Sequence, residues 1–233
     1  MTRQGLSCLP FFCTCCLLLL LAPAQAAQQD GPFEQLFGYQ AFSAGAKDFS
    51  VYLEKHWTRV LQVEQDSPCL QRTTSCLPPA DALQWRYLAS KAPAMDEMEL
   101  LRAVTAFFNK FPSASDMENY GVQDRWPTLA EFFNLRSGDC KAYTLSKYFA
   151  LRALGLQDDK IRIVLVHLHQ RKANHAVLAV STARGVFILD NNMRPLDLIL
   201  PQEKFNSQFI PLFMLNENGR WTFRQDPKLL RGQ

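Results

Sequence analysis

Past Gly155 the chain stops repeating its apolar residues at helical spacing and begins to run and alternate them as strands do, and this change of period fixes its fold class. Upstream, Val51, Leu53, Trp57, Val60 and Leu61 predict a helix over 49–63. Two more are predicted over 81–91 and 96–111, the second with Leu100, Leu101, Val104, Phe107 and Phe108 on one face and Pro112 ending it. Thr128 and Glu131 have capping-box spacing at the head of a short helix over 128–135. In the stretch 140–154, Leu145, Phe149, Arg152 and Ala153 keep the helical period until Gly155 stops it. Residues 68–79 break the pattern, and 116–127 read as a polar and aromatic loop. Downstream, 161–168, 175–181 and 185–190 read as strands. A helical half followed by an antiparallel sheet is an α+β domain, and 48% hydrophobic residues with 17 Phe suit a packed core.

The first residues carry one positive charge, Arg3, and lead into an apolar run from Leu9 to Leu21 that ends at Ala22-Pro23-Ala24-Gln25-Ala26-Ala27. That run is about 13 residues, against the roughly 20 of a membrane-spanning helix. Residues 1–26 therefore read as a signal peptide cut after Ala26, so that the exported chain does not span the membrane. The exported chain divides into a helical extension, 27–95, and a domain over 96–233. Removing Arg3 from 25 basic residues leaves a net charge of +2 against 22 acidic ones, too little to indicate nucleic acid or a membrane surface as partner.

Three of the seven cysteines remain after cleavage: Cys69, Cys76 and Cys140. In an oxidising compartment Cys69 and Cys76 read as a disulfide closing a small loop, a bridge that contributes about 2 kcal/mol. Two free thiols or a metal-binding pair are the alternatives, the latter lacking a second ligand pair. Cys140 is left unpaired, and an odd thiol in an exported protein is either buried and inert or reactive.

Cys140 opens a helix in Ser137-Gly138-Asp139-Cys140, His175 opens a strand in Ala173-Asn174-His175-Ala176, and Asp190 closes the next in Ile188-Leu189-Asp190-Asn191. A nucleophile at a helix start followed by a base and a carboxylate on two later strands is the order of a papain- or transglutaminase-like thiol enzyme. If 182–185 is a short loop pairing Ser181 with Val186, the same register carries on to pair Val177 with Asp190. His175 shares a strand face with Val177, so Asp190 falls diagonal to it, whereas a slip of one residue would turn Asp190 away. The backbone N–H of Cys140 would meet an oxyanion, with Gln123 and Trp126 as further candidates. Singly, each residue has a plainer reading: Cys140 as core, His175 as a hydrogen-bonded strand residue, Asp190 as a turn, Asp139 as a helix cap. His167 and His169 alternate and could face a metal, but no third ligand stands near them. Lys141, Lys147 and Lys160 read as solvated surface.

Over roughly residues 100–223 the chain resembles the bacterial transglutaminase-like cysteine proteinases of the LapG type. Arg102-Ala103-Val104-Thr105-Ala106-Phe107-Phe108-Asn109, Gly138-Asp139-Cys140, Lys147-Tyr148-Phe149-Ala150-Leu151-Arg152-Ala153-Leu154-Gly155, His175 with its strand, and 186–191 carry the likeness, in this order. The resemblance implies a periplasmic endopeptidase with Cys140, His175 and Asp190 as its triad. It further implies a large repeat-containing adhesin as substrate, cut near its N-terminus to disperse biofilm, and an inner-membrane cyclic-di-GMP receptor that restrains the enzyme. The family usually follows its cysteine with Glu-Asp, which help bind calcium. Here Lys141 and Ala142 stand there, Asp139 alone remains as a ligand candidate, and weak or absent calcium binding is expected. The same triad could transfer an amide to an amine, and the same fold without activity could serve as a binding module.

Overall fold

The structure, a computed structural model, describes residues 31–45, 49–66, 68–70, 76–192 and 200–223; the predicted signal peptide lies outside them. Six helices occur in these residues: α1 (Val51–Asp66), α2 (Pro79–Lys91), α3 (Glu97–Asn109), α4 (Asp116–Tyr120), α5 (Leu129–Leu135) and α6 (Cys140–Ala153). The strands are β1 (Gln35–Leu36), β2 (Tyr39–Ser43), β3 (Ile161–Leu168), β4 (Ala173–Thr182), β5 (Gly185–Leu189), β6 (Leu200–Pro201), β7 (Phe209–Leu215) and β8 (Arg220–Phe223). They form one antiparallel sheet in the order β1-β2-β8-β7-β3-β4-β5-β6.

Strands β3 and β4 are at its centre and are covered on both faces. Ile161, Ile163, Leu178 and Val180 join the core shared with the helices, while Val164, Val166, Val177 and Ala179 join a second core with Phe33, Phe37, Phe205 and Phe209. Burial on both faces is why these segments read as continuous apolar runs.

Helix starts follow their caps. Asp96 with Glu99, Ser115 with Glu118, and Thr128 with Glu131 each form a complete capping box. The box at Ser115 and the left-handed Gly121 (φ 68°) bound α4, a helix inside the stretch expected to be loop. Five strands were also not foreseen. The apolar run of β7 contains Pro211, which ordinarily argues against an inner strand. It is accommodated where the β3–β7 register shifts, Leu165 pairing with Phe213 and Val166 with Pro211, so that Leu212 bulges out.

The range 27–95 supplies β1, β2, α1 and α2, and β2 pairs directly with β8. Cys69 and Cys76 are disulfide-bonded, with Cα atoms 5.6 Å apart. Trp57 of α1, fully buried, meets Tyr148 edge-on at 5.5 Å and stacks on Phe149 at 5.9 Å. On the other side Phe132 of α5 meets Tyr143 at 5.7 Å, and the Tyr143 hydroxyl donates to the Phe111 carbonyl at 2.6 Å. The Thr144 hydroxyl donates to the Ala176 carbonyl at 3.0 Å, tying α6 to β4. Trp57→Ala is expected to cost about 3–5 kcal/mol by cavity formation behind α6, to be measured by urea denaturation.

Candidate active site

The turn into α6 admits little choice of residue. A Cβ on Gly138 would collide with Ala142 and press on the Phe132 ring at 3.4 Å, and the Gly138 carbonyl accepts from the Ala114 N–H at 3.0 Å. Asp139 is the N-cap, accepting from the Lys141 and Ala142 N–H groups at 3.0 and 3.1 Å. Cys140 is thus the first helical residue, carrying an N–H that the helix does not pair internally, at the positive end of the helix dipole. Its thiol is free and partly exposed.

His175 and Asp190 are brought together as the strand register requires. The β4–β5 ladder pairs Ser181 with Val186 and Leu178 with Leu189, and Asp190 follows directly. His175 Nε2 lies 2.8 Å from Asp190 Oδ1, both side chains about one-twentieth exposed. The Asn192 N–H donates to the same carboxylate oxygen at 3.0 Å, and Asn109 donates to the Asp190 carbonyl at 3.0 Å. Burial works against the imidazolium, but the Asp190 carboxylate and the Cys140 side chain outweigh it and push the His175 pKa up to about 9. Burial likewise opposes the Asp190 carboxylate, and its bond to His175, the Asn192 N–H and the charge of Lys147 nonetheless hold its pKa below the ordinary value.

Lys141 and Lys147 are not the solvated residues expected. Lys147 is fully buried, its ammonium has no hydrogen-bond partner among the described residues, and burial pushes its pKa down to about 7 despite Asp190. Lys141 lies among Asp116, Asp124 and Asp139. Charge counting finds lysines but not their burial, so neither position was legible. Lys160 is exposed, as expected, and pairs with Glu97 at 2.8 Å.

Cys140 and His175 open onto a cleft of about 390 Å³ walled by Tyr52, Asp124, Trp126, Leu212 and Phe213. Of the two side-chain candidates for an oxyanion site, Trp126 lines this cleft, whereas Gln123 is exposed and is not among its lining residues. Tyr52, whose hydroxyl donates to Asp124 Oδ2 at 2.5 Å, escapes sequence reasoning because it comes from α1, far away along the chain. His167 pairs with Asn174 at 3.1 Å, and His169 lies beyond the end of β3. Among the described residues no group of three or more His, Cys, Asp or Glu is arranged to hold a metal ion.

The family model for bacterial transglutaminase-like cysteine proteinases (BTLCP) matches residues 69–227. The chain belongs to this family. Its fold is that of calcium-bound LapG from Legionella pneumophila, with a TM-score of 0.54 at 22% identity over 73% of this chain and 91% of that one. The EGTA-treated form of that protein gives 0.54 at 23% identity over 69% and 90%. Comparison with curated protein sequences finds no match. The proteinase thus carries a thiol-protease fold of transglutaminase type, and no helix among the described residues is long and apolar enough to cross a membrane.

The His175–Asp190 pair sets a pH signature for stability. A histidine pKa raised from 6.5 to about 9 contributes fully below about pH 6.5, and that contribution is lost as pH rises through 9. Asp190, held low, contributes above its ordinary pKa of about 3.9 and loses this as pH falls. In urea denaturation the wild type is expected to exceed His175→Ala most between about pH 5 and 6.5, the gap narrowing steadily towards pH 9. A gap that widens over that interval would contradict the pairing.

Proposed function

We propose that the proteinase is an exported, periplasmic cysteine endopeptidase in which Cys140 is the nucleophile, His175 the general base and acid, and Asp190 the residue that orients and stabilises the imidazolium. The observation that carries this reading is the buried 2.8 Å contact between His175 and Asp190, beside a free thiol at the head of α6.

The chemistry follows from these positions. The thiolate of Cys140 attacks the scissile carbonyl while its proton resides on His175, whose raised proton affinity keeps it there. The oxyanion is met by the Cys140 N–H at the helix terminus. His175 gives its proton to the departing amine as the C–N bond breaks, leaving a thioester on Cys140. A water molecule, deprotonated by His175, then attacks the thioester and releases the acid and the thiol. Asp190 stays ionised throughout.

The apolar wall formed by Trp126, Leu212 and Phe213 suits a polypeptide substrate. Family membership and the predicted leader support a large repeat-containing adhesin, cut near its N-terminus and released from the outer membrane, with a cyclic-di-GMP receptor in the inner membrane holding the proteinase back.

Iodoacetamide is expected to label Cys140 rapidly below about pH 8, and His175→Ala to remove this reactivity. Labelling that rises only near the free-thiol pKa of about 8.5 would remove the basis for the reading. The mature protein incubated with the N-terminal region of such an adhesin is expected to yield two fragments, and Cys140→Ala none. Incorporation of an added amine at the new terminus, in place of hydrolysis, would mark amide transfer instead.

A further inference from the structure

Three carboxylates converge beside the nucleophile from separate segments: Asp116 from the first turn of α4, Asp124 from the loop after it, and Asp139 from the cap of α6. Lys141 Nζ stands 3.0 Å from Asp116 Oδ2, 3.0 Å from Asp124 Oδ1, and in contact with Asp139 Oδ2. Only 4% of the Asp116 side chain and 18% of that of Lys141 are exposed. Each carboxylate also holds a second group. Asp139 Oδ1 accepts from the Lys141 and Ala142 N–H groups, Asp124 Oδ2 accepts from the Tyr52 hydroxyl, and Asp116 Oδ2 accepts from the Arg125 N–H at 2.8 Å. The cluster therefore connects the start of α6 to the cleft wall and to α1.

The calcium ion that the family resemblance implies does not fit here. Calcium takes six to eight oxygen ligands, whereas the position between these three carboxylates is already filled by an ammonium that cancels one of their three charges and repels a divalent cation. Burial disfavours the charged form of Lys141, but Asp139, Asp116 and Asp124 more than offset this and raise its pKa above the ordinary lysine value.

We infer that the Lys141 ammonium is the built-in structural cation of this active site, a positioning residue that tethers the cleft wall to the nucleophile helix and makes the proteinase independent of divalent metal. This rests on the reading of Cys140 as nucleophile. Lys141 forms or breaks no bond with substrate; it acts by holding Asp139 and Asp124.

The test pairs calcium calorimetry with iodoacetamide labelling of Cys140 in the mature proteinase and in Lys141→Met, in EGTA or in excess calcium. The wild type is expected to take up no calcium below about 1 mM and to label at a rate EGTA leaves unchanged. Lys141→Met, with three unneutralised carboxylates, is expected to label about tenfold more slowly in EGTA and to regain most of that rate in millimolar calcium. Stoichiometric micromolar uptake by the wild type, slowing of the wild type by EGTA, a wild-type rate in metal-free Lys141→Met, or no recovery with calcium would each overturn the assignment. Should Lys141→Met fail to fold, Asp124→Asn is read in its place. Slower labelling in that variant supports the tether, and an unchanged rate overturns it. Calorimetry does not depend on thiol reactivity, so an inert wild-type Cys140 would count against the protease reading while the titration still judges Lys141.

Discussion

The site depends on the confinement of α6. Nine of its 14 residues are buried, among them Tyr143, Leu145, Tyr148 and Leu151, so the helix has aromatic or aliphatic neighbours around most of its circumference and cannot rotate without opening the core. Trp57 closes one side, Phe132 another, and the Thr144 hydrogen bond to the Ala176 carbonyl fixes its height along β4. Cys140 projects from the first residue of this fixed cylinder. Its position relative to His175, two strand residues from Val177, is therefore set by apolar packing rather than by any contact the thiol makes.

Two lysines on this helix show how differently a buried charge can be handled. Lys141 is surrounded by carboxylates, whereas Lys147 has none within hydrogen-bond distance, its charge favoured by the field of Asp190 and by the Tyr143 ring, whose centroid lies 5.9 Å from its Nζ. An unpaired buried ammonium is costly, and lowering its pKa is the relief open to it. Whatever fraction of Lys147 is protonated favours the Asp190 carboxylate, and with it the imidazolium of His175. The electrostatics of the candidate triad thus extend into the buried core around α6.

What was legible in the sequence was local. The β4–β5 hairpin has a short loop, so its register followed from residues 181–186, and the faces of His175 and Asp190 followed from the register. The Thr128 capping box and the Gly155 stop could be read because their partners lie within four residues. The same signals mark α4, where Ser115, Glu118 and Gly121 have the right spacing, but the polar composition of the stretch masked them. Pairings distant in sequence left no local trace: β2 meets β8 across the whole domain, and β7 carries a proline whose acceptance depends on a bulge opposite Leu165 and Val166. Burial of Lys141 and Lys147 depends on such distant packing, which explains why both looked like surface.

The His175–Asp190 contact is held by forces larger than its own. A hydrogen bond to a charged group contributes about 1.5–3 kcal/mol, while burial of each aliphatic side chain such as Val177, Leu178, Val180 or Ile188 contributes a similar amount. A one-residue slip of β5 against β4 would turn Val186, Ile188 and Asp190 to the opposite face together, losing several such terms and placing a carboxylate in the helix-side core. The polar pair is thus too weak to choose the register and too buried to survive the wrong one. The two-faced apolar core imposes the alignment first, and the imidazole and carboxylate meet because the sheet has no other way to bury its strands.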